Sequence, residues 1–496
     1  MEKHWGFYGR NSELAEIEKI ISSGRWFFCA ISGRRRIGKT TLIQRALKQR
    51  PDIQHFYFQV PDSDERGVVQ AFQEALEDQG VDTPTAQKIH TFSDMAYLIC
   101  GLCEIGFIAT IDEFQYFHRK GLSPFTSFLQ AEVDKLRDTK KGGLFVLGSI
   151  HTEMTAILED HDSPLFNRVT NRISIDHWDF ETLFEMFDAH EVEGARHWLF
   201  LWAIFEGVPK FYRDCFDQGI LSLRDDYRQS TLLNLFFEGS SPLRDEATNW
   251  FLRELRGRYD SVLKILANRG PCSYSDLKSE YGRAGSGGEK QLGGYLSTLT
   301  DRYQMVEKLQ PIFAGKSSRK ARYVITDNFL AAWLKAISRN VQMARVQPKP
   351  KPLERTDKML AVHEGYAFEK MIRHLTEEAS QKGVGDFELT DIIRGYWNKV
   401  DGSDIEIDLV ASNEDARIVR FGSCKRDADA HTGQSLKKFA THIDRFLRTK
   451  EGKQFTGWTV EKALYSPEFT AKQRKSLGEK EYLCIDLLDF RRVLYG

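Results

Sequence analysis

The sequence predicts an α/β chain. A parallel sheet wrapped by helices comes first, and helical parts and a second, smaller α/β domain follow. Three observations predict it. Short apolar runs recur in the first 150 residues, each closed by a glycine-rich, acidic or serine-bearing turn. The first such run passes straight into a helical pattern. Near residue 400, strand-like segments return after a long helical stretch.

At 496 residues the chain exceeds one ordinary core, and about three or four domains are expected. A hydrophobic fraction of 41% and a charged fraction of 28% describe a soluble globular protein. Lys plus Arg number 70 against 71 for Asp plus Glu, so bulk charge argues for neither nucleic acid nor membrane, although local patches can still be basic. The N-terminus lacks an apolar signal region, and nowhere do apolar residues run long enough to span a bilayer. Seven cysteines, an odd count without framework spacing, fit reduced thiols and a cytoplasmic location. Cys100 and Cys103 form a lone CxxC, which reads as two core positions of a helix.

The elements follow in order. Trp26 to Ile31, WFFCAI, suits a strand buried on both faces. Thr40 to Lys48 spaces Leu42, Ile43, Ala46 and Leu47 as a helix does. Between them stands Gly33-Arg34-Arg35-Arg36-Ile37-Gly38-Lys39-Thr40, followed by Thr41. Strand, GxxxxGK[ST], helix is the phosphate-binding loop in the context its mechanism needs. Glycines let the backbone wrap a phosphate, and the helix N-terminus adds partial positive charge. Lys39 would reach the β- and γ-phosphates, and the Thr40 hydroxyl would bind Mg²⁺.

Such a site needs an acid on a neighbouring strand tip. Phe107 to Ile111 is a mostly apolar run ending in Asp112-Glu113. Asp112 would hold Mg²⁺, and Glu113 would orient or deprotonate the attacking water. A third run, Gly143 to Ile150, carries Ser149 at its tip. Ser149 is either a γ-phosphate sensor or a plain strand-to-helix turn. In Ser163 to Arg168, SPLFNR, Arg168 is either a solvated surface residue or a cation that stabilises phosphate charge, in its own subunit or a neighbour's.

FYGRNSEL, SGRRRIGKTTLI, ATIDEFQY, LFVLGSI, SPLFNR and EGVPKFY together resemble the archaeal-type ATPases, P-loop NTPases of the AAA+/STAND group. The resemblance runs through nearly the whole chain. It implies a P-loop NTPase parallel sheet, ATP as the nucleotide, a Gly-x-Pro element at Gly207-Val208-Pro209, and a displayed arginine at Arg168. Phe166-Asn167 stand where the family commonly has Tyr-Gly.

Residues 1–180 are thus expected to form the ATPase core. Residues 181–252 read as helices, the place for a lid over the nucleotide. Residues 253–340 give three helices, the second capped by Ser275, and then a basic hairpin, which is the order of a winged helix. Lys316, Arg319, Lys320 and Arg322 on the hairpin would touch phosphates, or the domain packs on the ATPase with a solvated hairpin. Residues 341–358 carry Pro348, Pro350 and Pro352 and read as an extended linker.

Residues 359–496 form the last domain. A helix carries Glu369, one strand carries Glu406 and Asp408, and the next ends at Lys425. This resembles the PD-(D/E)XK nuclease-like module that often accompanies these ATPases. The resemblance implies Asp408 and Glu369 as metal-binding acids and Lys425 as the residue that orients water. Ser423 stands where the family has Glu, and Mg²⁺ prefers carboxylate oxygens. Glu406, on the same strand face as Asp408, would supply a second carboxylate; otherwise the module binds without cutting. Arg417, Arg420, Arg426, Lys437 and Lys438 make the region locally basic.

The functional expectation is an ATP- and Mg²⁺-dependent switch acting on DNA through its winged helix and C-terminal module. Two alternatives stand beside it: an active ATP-dependent DNA nuclease, and a nucleotide-bound scaffold for a protein partner or for self-association. No membrane partner is expected.

Overall fold

Residues 4–81, 89–137, 141–149, 151–244, 246, 258–283, 289–315, 320–400 and 403–496 are described in the computed structural model. They divide into two compact units. One is Gly9–Trp178 with Val208–Lys210, and the other is Met1–Tyr8, Asp179–Gly207 and Phe211–Gly496.

The first unit begins with helix α1 (Asn11–Ile21), strand β1 (Phe27–Gly33) and helix α2 (Lys39–Lys48). Strand β2 (His55–Gln59), α3 (Glu65–Asp78), α4 (Phe92–Glu104) and β3 (Ile108–Asp112) follow. The unit closes with α5 (Pro124–Val133), β4 (Gly143–Gly148), α6 (His151–Leu158) and β5 (Asn171–Ile175). The strands pair in the order β2-β3-β4-β1-β5, and every pair is parallel. Central strands β3 and β4 are buried along their whole length, which is why they read as continuous apolar runs. Edge strands β2 and β5 alternate buried with exposed residues and gave no comparable run. A capping box between Thr91 and Asp94 starts α4, which buries Cys100 and Cys103 in the core. Burial pushes the Cys103 thiol up to about 12, so these two cysteines are packing residues.

In the second unit, α7 (Phe180–Ala189) and α8 (Ala195–Phe205) come first. Every residue of α8 except Arg196 is buried, as expected of a helix apolar all round. A small antiparallel sheet, ordered β6-β8-β7, combines β6 (Cys272–Ser273), β7 (Val306–Leu309) and β8 (Arg322–Ile325). Helices α9 (Arg258–Arg269), α10 (Tyr274–Arg283) and α11 (Leu292–Ser297) accompany it. The α10 cap is Ser273, whose hydroxyl accepts from Asp276 N at 3.2 Å; Ser275, the expected cap, lies inside the helix. Lys316 and Arg319 lie outside the described residues.

The expected linker is largely helical. Helix α12 runs Pro350–Gln381, so residues 350–358 are its first turns. Pro350 and Pro352 signalled extension, yet both sit in the opening turn, where no intrahelical N–H is required. Near its other end, the buried Glu378 carboxylate accepts from Phe180 N at 2.7 Å and Glu181 N at 3.0 Å. It thereby satisfies the first amides of α7. Lys382 bridges Glu378 and Asp179 at 2.8 and 3.1 Å.

A five-stranded mixed sheet ends the chain, ordered β13-β12-β11-β10-β9. Its strands are β9 (Arg394–Val400), β10 (Ser403–Asn413), β11 (Ile418–Cys424), β12 (Thr459–Tyr465) and β13 (Leu483–Ile485), with helix α13 (Gly433–Leu447) between β11 and β12. The β9–β10 ladder bulges between Ile407 and Val410, at the position of Asp408. A Cβ on Gly395 would come 2.9 Å from the Asp408 carbonyl oxygen, so the ladder closes there only on glycine.

Candidate functional site

Because β4 lies between β1 and β3, three strand tips stand side by side: the loop after β1, Ser149 after β4, and Asp112-Glu113 at β3. The loop alternates backbone hand, with Arg36 at φ 67° and Gly38 at φ 94°. That alternation turns successive amides toward one point. Gly33 passes so close to β5 that a Cβ would lie 2.4 Å from the Ile175 carbonyl oxygen. Ile37 is buried beneath the loop, Arg35 is exposed, Arg34 reaches His177 at 3.1 Å, and Thr41 faces outward from α2.

Lys39 is buried, and its ammonium donates to Gly33 O at 2.9 Å, Arg34 O at 3.0 Å and Ser149 Oγ at 3.1 Å. Desolvation lowers it from 10.5 to about 8, against the opposing pull of Asp112 and Glu113. Thr40 Oγ1 donates to Asp112 Oδ2 at 2.5 Å, and Glu113 N donates to Asp112 Oδ1 at 2.8 Å. Glu113 itself adopts φ 55°. The structure therefore brings Lys39, Thr40, Asp112, Glu113 and Ser149 together. A hydroxyl and a carboxylate in direct contact are the donor set Mg²⁺ takes at such a loop, so Thr40 and Asp112 fit that ion.

Three residues of this site carried no role in the sequence reading. Tyr57, on edge strand β2, donates to Asp112 Oδ2 at 2.8 Å. Gln115 donates to Glu113 and accepts from Ser149 N. Arg10 donates to Asp176 O at 2.6 Å and reaches the loop at Ile37 O, 3.4 Å. Arg10 and Gln115 stand inside the motif segments FYGRNSEL and ATIDEFQY, which was the available signal. Nothing local marks Tyr57.

Arg168 is elsewhere. It precedes β5, whose first residue pairs with Cys29 near the start of β1, so it lies at the strand-start edge of the sheet. The five residues of β5 separate it from the loop edge, a span of about 16 Å. Its guanidinium forks onto Asp134 at 3.0 and 2.9 Å, and this pair holds the Asp134 carboxyl below its usual value. That placement sets it away from its own subunit's loop, which leaves a neighbour's loop or the Asp134 pair alone.

In the C-terminal sheet, Asp408 Oδ2 accepts from Cys424 N at 2.8 Å, Ser423 Oγ stands at 3.5 Å and Lys425 Nζ at 3.7 Å. Burial raises the Asp408 carboxyl, with Lys425 opposing. Glu369 on α12 is raised well above its usual range, first by desolvation and then by Asp408. Glu406 is committed elsewhere: Arg322 of β8 pairs with it at 2.8 Å and lies over the Trp397 ring at 4.6 Å. Arg322 is thus not a free phosphate contact. Nor is Arg420, which is buried between Asp386 at 2.9 Å and Glu461 at 2.7 Å. Arg426 pairs with Glu364 at 3.2 Å, while Arg417, Lys437 and Lys438 are exposed. Among the described residues, no three His, Cys, Asp or Glu side chains are grouped closely enough to hold a metal ion.

The first unit is thereby a P-loop NTPase fold with its motif residues converged at one sheet edge. Residues 7–210 match the family described as an ATPase domain predominantly from Archaea, and residues 333–438 match archaeal and bacterial proteins of unknown function. Residues 7–210 are thus an archaeal-type ATPase domain, and residues 333–438 carry that second domain. It is similar to the protein MJECL04 of Methanocaldococcus jannaschii, 24% identical over 84% of this chain and 87% of the relative. In fold it is similar to the Walker-type ATPase paby2304 of Pyrococcus abyssi, with a TM-score of 0.50, 16% identity, and 66% of this chain and 96% of that one covered. The ORC2 protein of Aeropyrum pernix, in its ADPNP-ADP complexes, also aligns, with a TM-score of 0.49, 16% identity, and 70% and 97% covered.

Proposed function

We propose that this chain is an ATP-hydrolysing switch whose nucleotide state governs a DNA-binding second unit. The convergence of Lys39, Thr40, Asp112 and Glu113 on one sheet edge carries the reading. Mg²⁺ held by Thr40 and Asp112 would neutralise phosphate charge. Lys39 would bind the β- and γ-phosphates, the loop amides would orient them, and Glu113 would take the proton of the attacking water. The experiment is ATPase turnover of the full chain beside Lys39→Ala and Glu113→Gln. Loss of turnover in both, with nucleotide still bound by Glu113→Gln, is expected; turnover surviving in both removes the reading.

For the second unit, the helix-strand-helix-helix-hairpin order of residues 258–325 supports a winged helix. Exposed Lys437 and Lys438 support phosphate contacts in the C-terminal module. That module, as we read it, holds DNA without cutting it. The support is chemical: Ser423 offers a hydroxyl where a carboxylate is needed, and Glu406 is paired to Arg322. An active nuclease is the competing reading, favoured by the approach of Glu369, Asp408 and Lys425. Plasmid nicking with Mg²⁺ or Mn²⁺ decides between them. Wild type is expected to be silent and Ser423→Glu to gain nicking that Asp408→Ala removes. Nicking by wild type itself establishes the competitor.

A further inference from the structure

We infer that Gln115 is a positioning residue for hydrolysis, tying the orientation of Glu113 to Ser149 and Lys39. The inference rests on the hydrolytic reading above. Gln115 lies in the turn Phe114–His118 that follows β3, and it is 2% exposed. Both ends of its amide are used. A backbone N–H can only donate, so the amide oxygen faces Ser149 N, at 3.1 Å. The NH₂ group is thereby turned to Glu113, whose Oε2 accepts from it. Ser149 Oγ in turn accepts from Lys39 Nζ at 3.1 Å.

A hydrogen-bonded path therefore runs from the phosphate-binding lysine to the water-activating carboxylate. It crosses the tips of β1, β4 and β3 in the order in which the sheet pairs them. A γ-phosphate arriving at Lys39 competes directly with Ser149 for the ammonium. Ser149 cannot shift without carrying its own N–H, and Gln115 is the acceptor of that N–H.

The chemical consequence falls on Glu113. In hydrolysis, water oxygen bonds to the γ-phosphorus, the bond to the ADP oxygen breaks with its electron pair leaving on ADP, and the water proton passes to Glu113. Gln115 engages Oε2, which leaves Oε1 to take that proton. Glu113 needs such a guide because its backbone sits at φ 55°, a conformation that persists in a non-glycine residue only when neighbours over-determine it. Side-chain length is decisive. Asn is one methylene too short to span both partners, and Glu keeps an acceptor for Ser149 but sets oxygen against oxygen at Glu113.

The test is steady-state ATPase and ADP binding of full-length wild type, Gln115→Met, Gln115→Glu and Gln115→Asn. Met conserves volume, so the fold is expected to survive. Expected is a kcat lowered by about 100-fold in all three, as for other small misplacements of a catalytic group. ADP affinity is expected to stay within about threefold, so that the loss falls on turnover. Wild-type turnover matched by Gln115→Met and Gln115→Asn overturns the inference alone, as does a kcat loss that merely follows ADP affinity or the folded fraction. A wild type without turnover overturns the hydrolytic reading and this inference with it.

Discussion

Arg322 and Glu406 are paired at 2.8 Å, and through them the β7–β8 hairpin is fastened to the C-terminal sheet. Trp397 strengthens the join, its indole donating to Lys320 O at 2.7 Å beneath the Arg322 guanidinium. The counter-ion of Arg322 is therefore a carboxylate of the same unit. In DNA binding, Arg322→Ala is expected to leave the slope of log K against log salt unchanged. A phosphate contact would lower that slope by about 0.9. Titrations of wild type and variant over a salt series check this, and a drop of that size would place the hairpin on DNA instead.

Lys39 gives the site a pH limit. Burial brings its ammonium down from 10.5 to about 8, so in the free protein it loses charge as pH rises through that value. Phosphate binding requires the charged form. ATP affinity is expected to be flat below about pH 7 and to weaken above 8, approaching about tenfold per pH unit. The sign for folding is opposite: the folded state binds fewer protons between 8 and 10.5, so this group's cost to stability is relieved as pH rises there. Affinities of a non-hydrolysable ATP analogue between about pH 7 and pH 9.5 test the linkage. An unshifted lysine would leave them constant.

Arg168 stands at the wrong edge of its own sheet to act on its own nucleotide. If it serves a neighbour, ATPase rate per molecule rises with protein concentration in wild type and stays flat in Arg168→Ala. A concentration-independent wild type matched by the variant assigns Arg168 to the Asp134 pair alone.

Glu378 adds a cap from a distant segment to the local one, Asp179, which accepts from Thr182 N at 2.9 Å. Glu378→Ala leaves Phe180 N and Glu181 N without their acceptor and Lys382 without one of its anions. A loss of about 1–2 kcal/mol is expected. Chemical denaturation measures it. Glu378→Gln, which retains one acceptor oxygen, is expected to recover part.

The central strands and the loop were legible because their chemistry is local. β1, β3 and β4 are buried on both faces and announce themselves as apolar runs, and Gly33 to Thr40 is contiguous. Tyr57 was not legible, because strand order alone brings it to the site, and Arg10 carried a motif but no role until the chain's return to Asp176 gave it one. The linker misled for a definite reason: proline forbids helix interiors but is tolerated in a first turn, and sequence alone does not say which is which. Arg420 looked like part of a basic surface, yet Asp386 and Glu461, distant in sequence, bury it in an ion-pair fork. Arg322 was hidden from the phosphate reading in the same way.

The length of α12 has a practical consequence for anyone dividing this protein. Residues 350–381 are one continuous rod, with Glu369 and Glu378 nine positions apart on it, roughly 14 Å along its axis. Excising the last domain at the apparent boundary near residue 359 would saw through that rod, strip its opening turns with Leu353, and leave buried Leu360 at a frayed end. A fragment beginning there invites aggregation for reasons unrelated to its chemistry, and silence in its assays would be uninformative about the intact molecule.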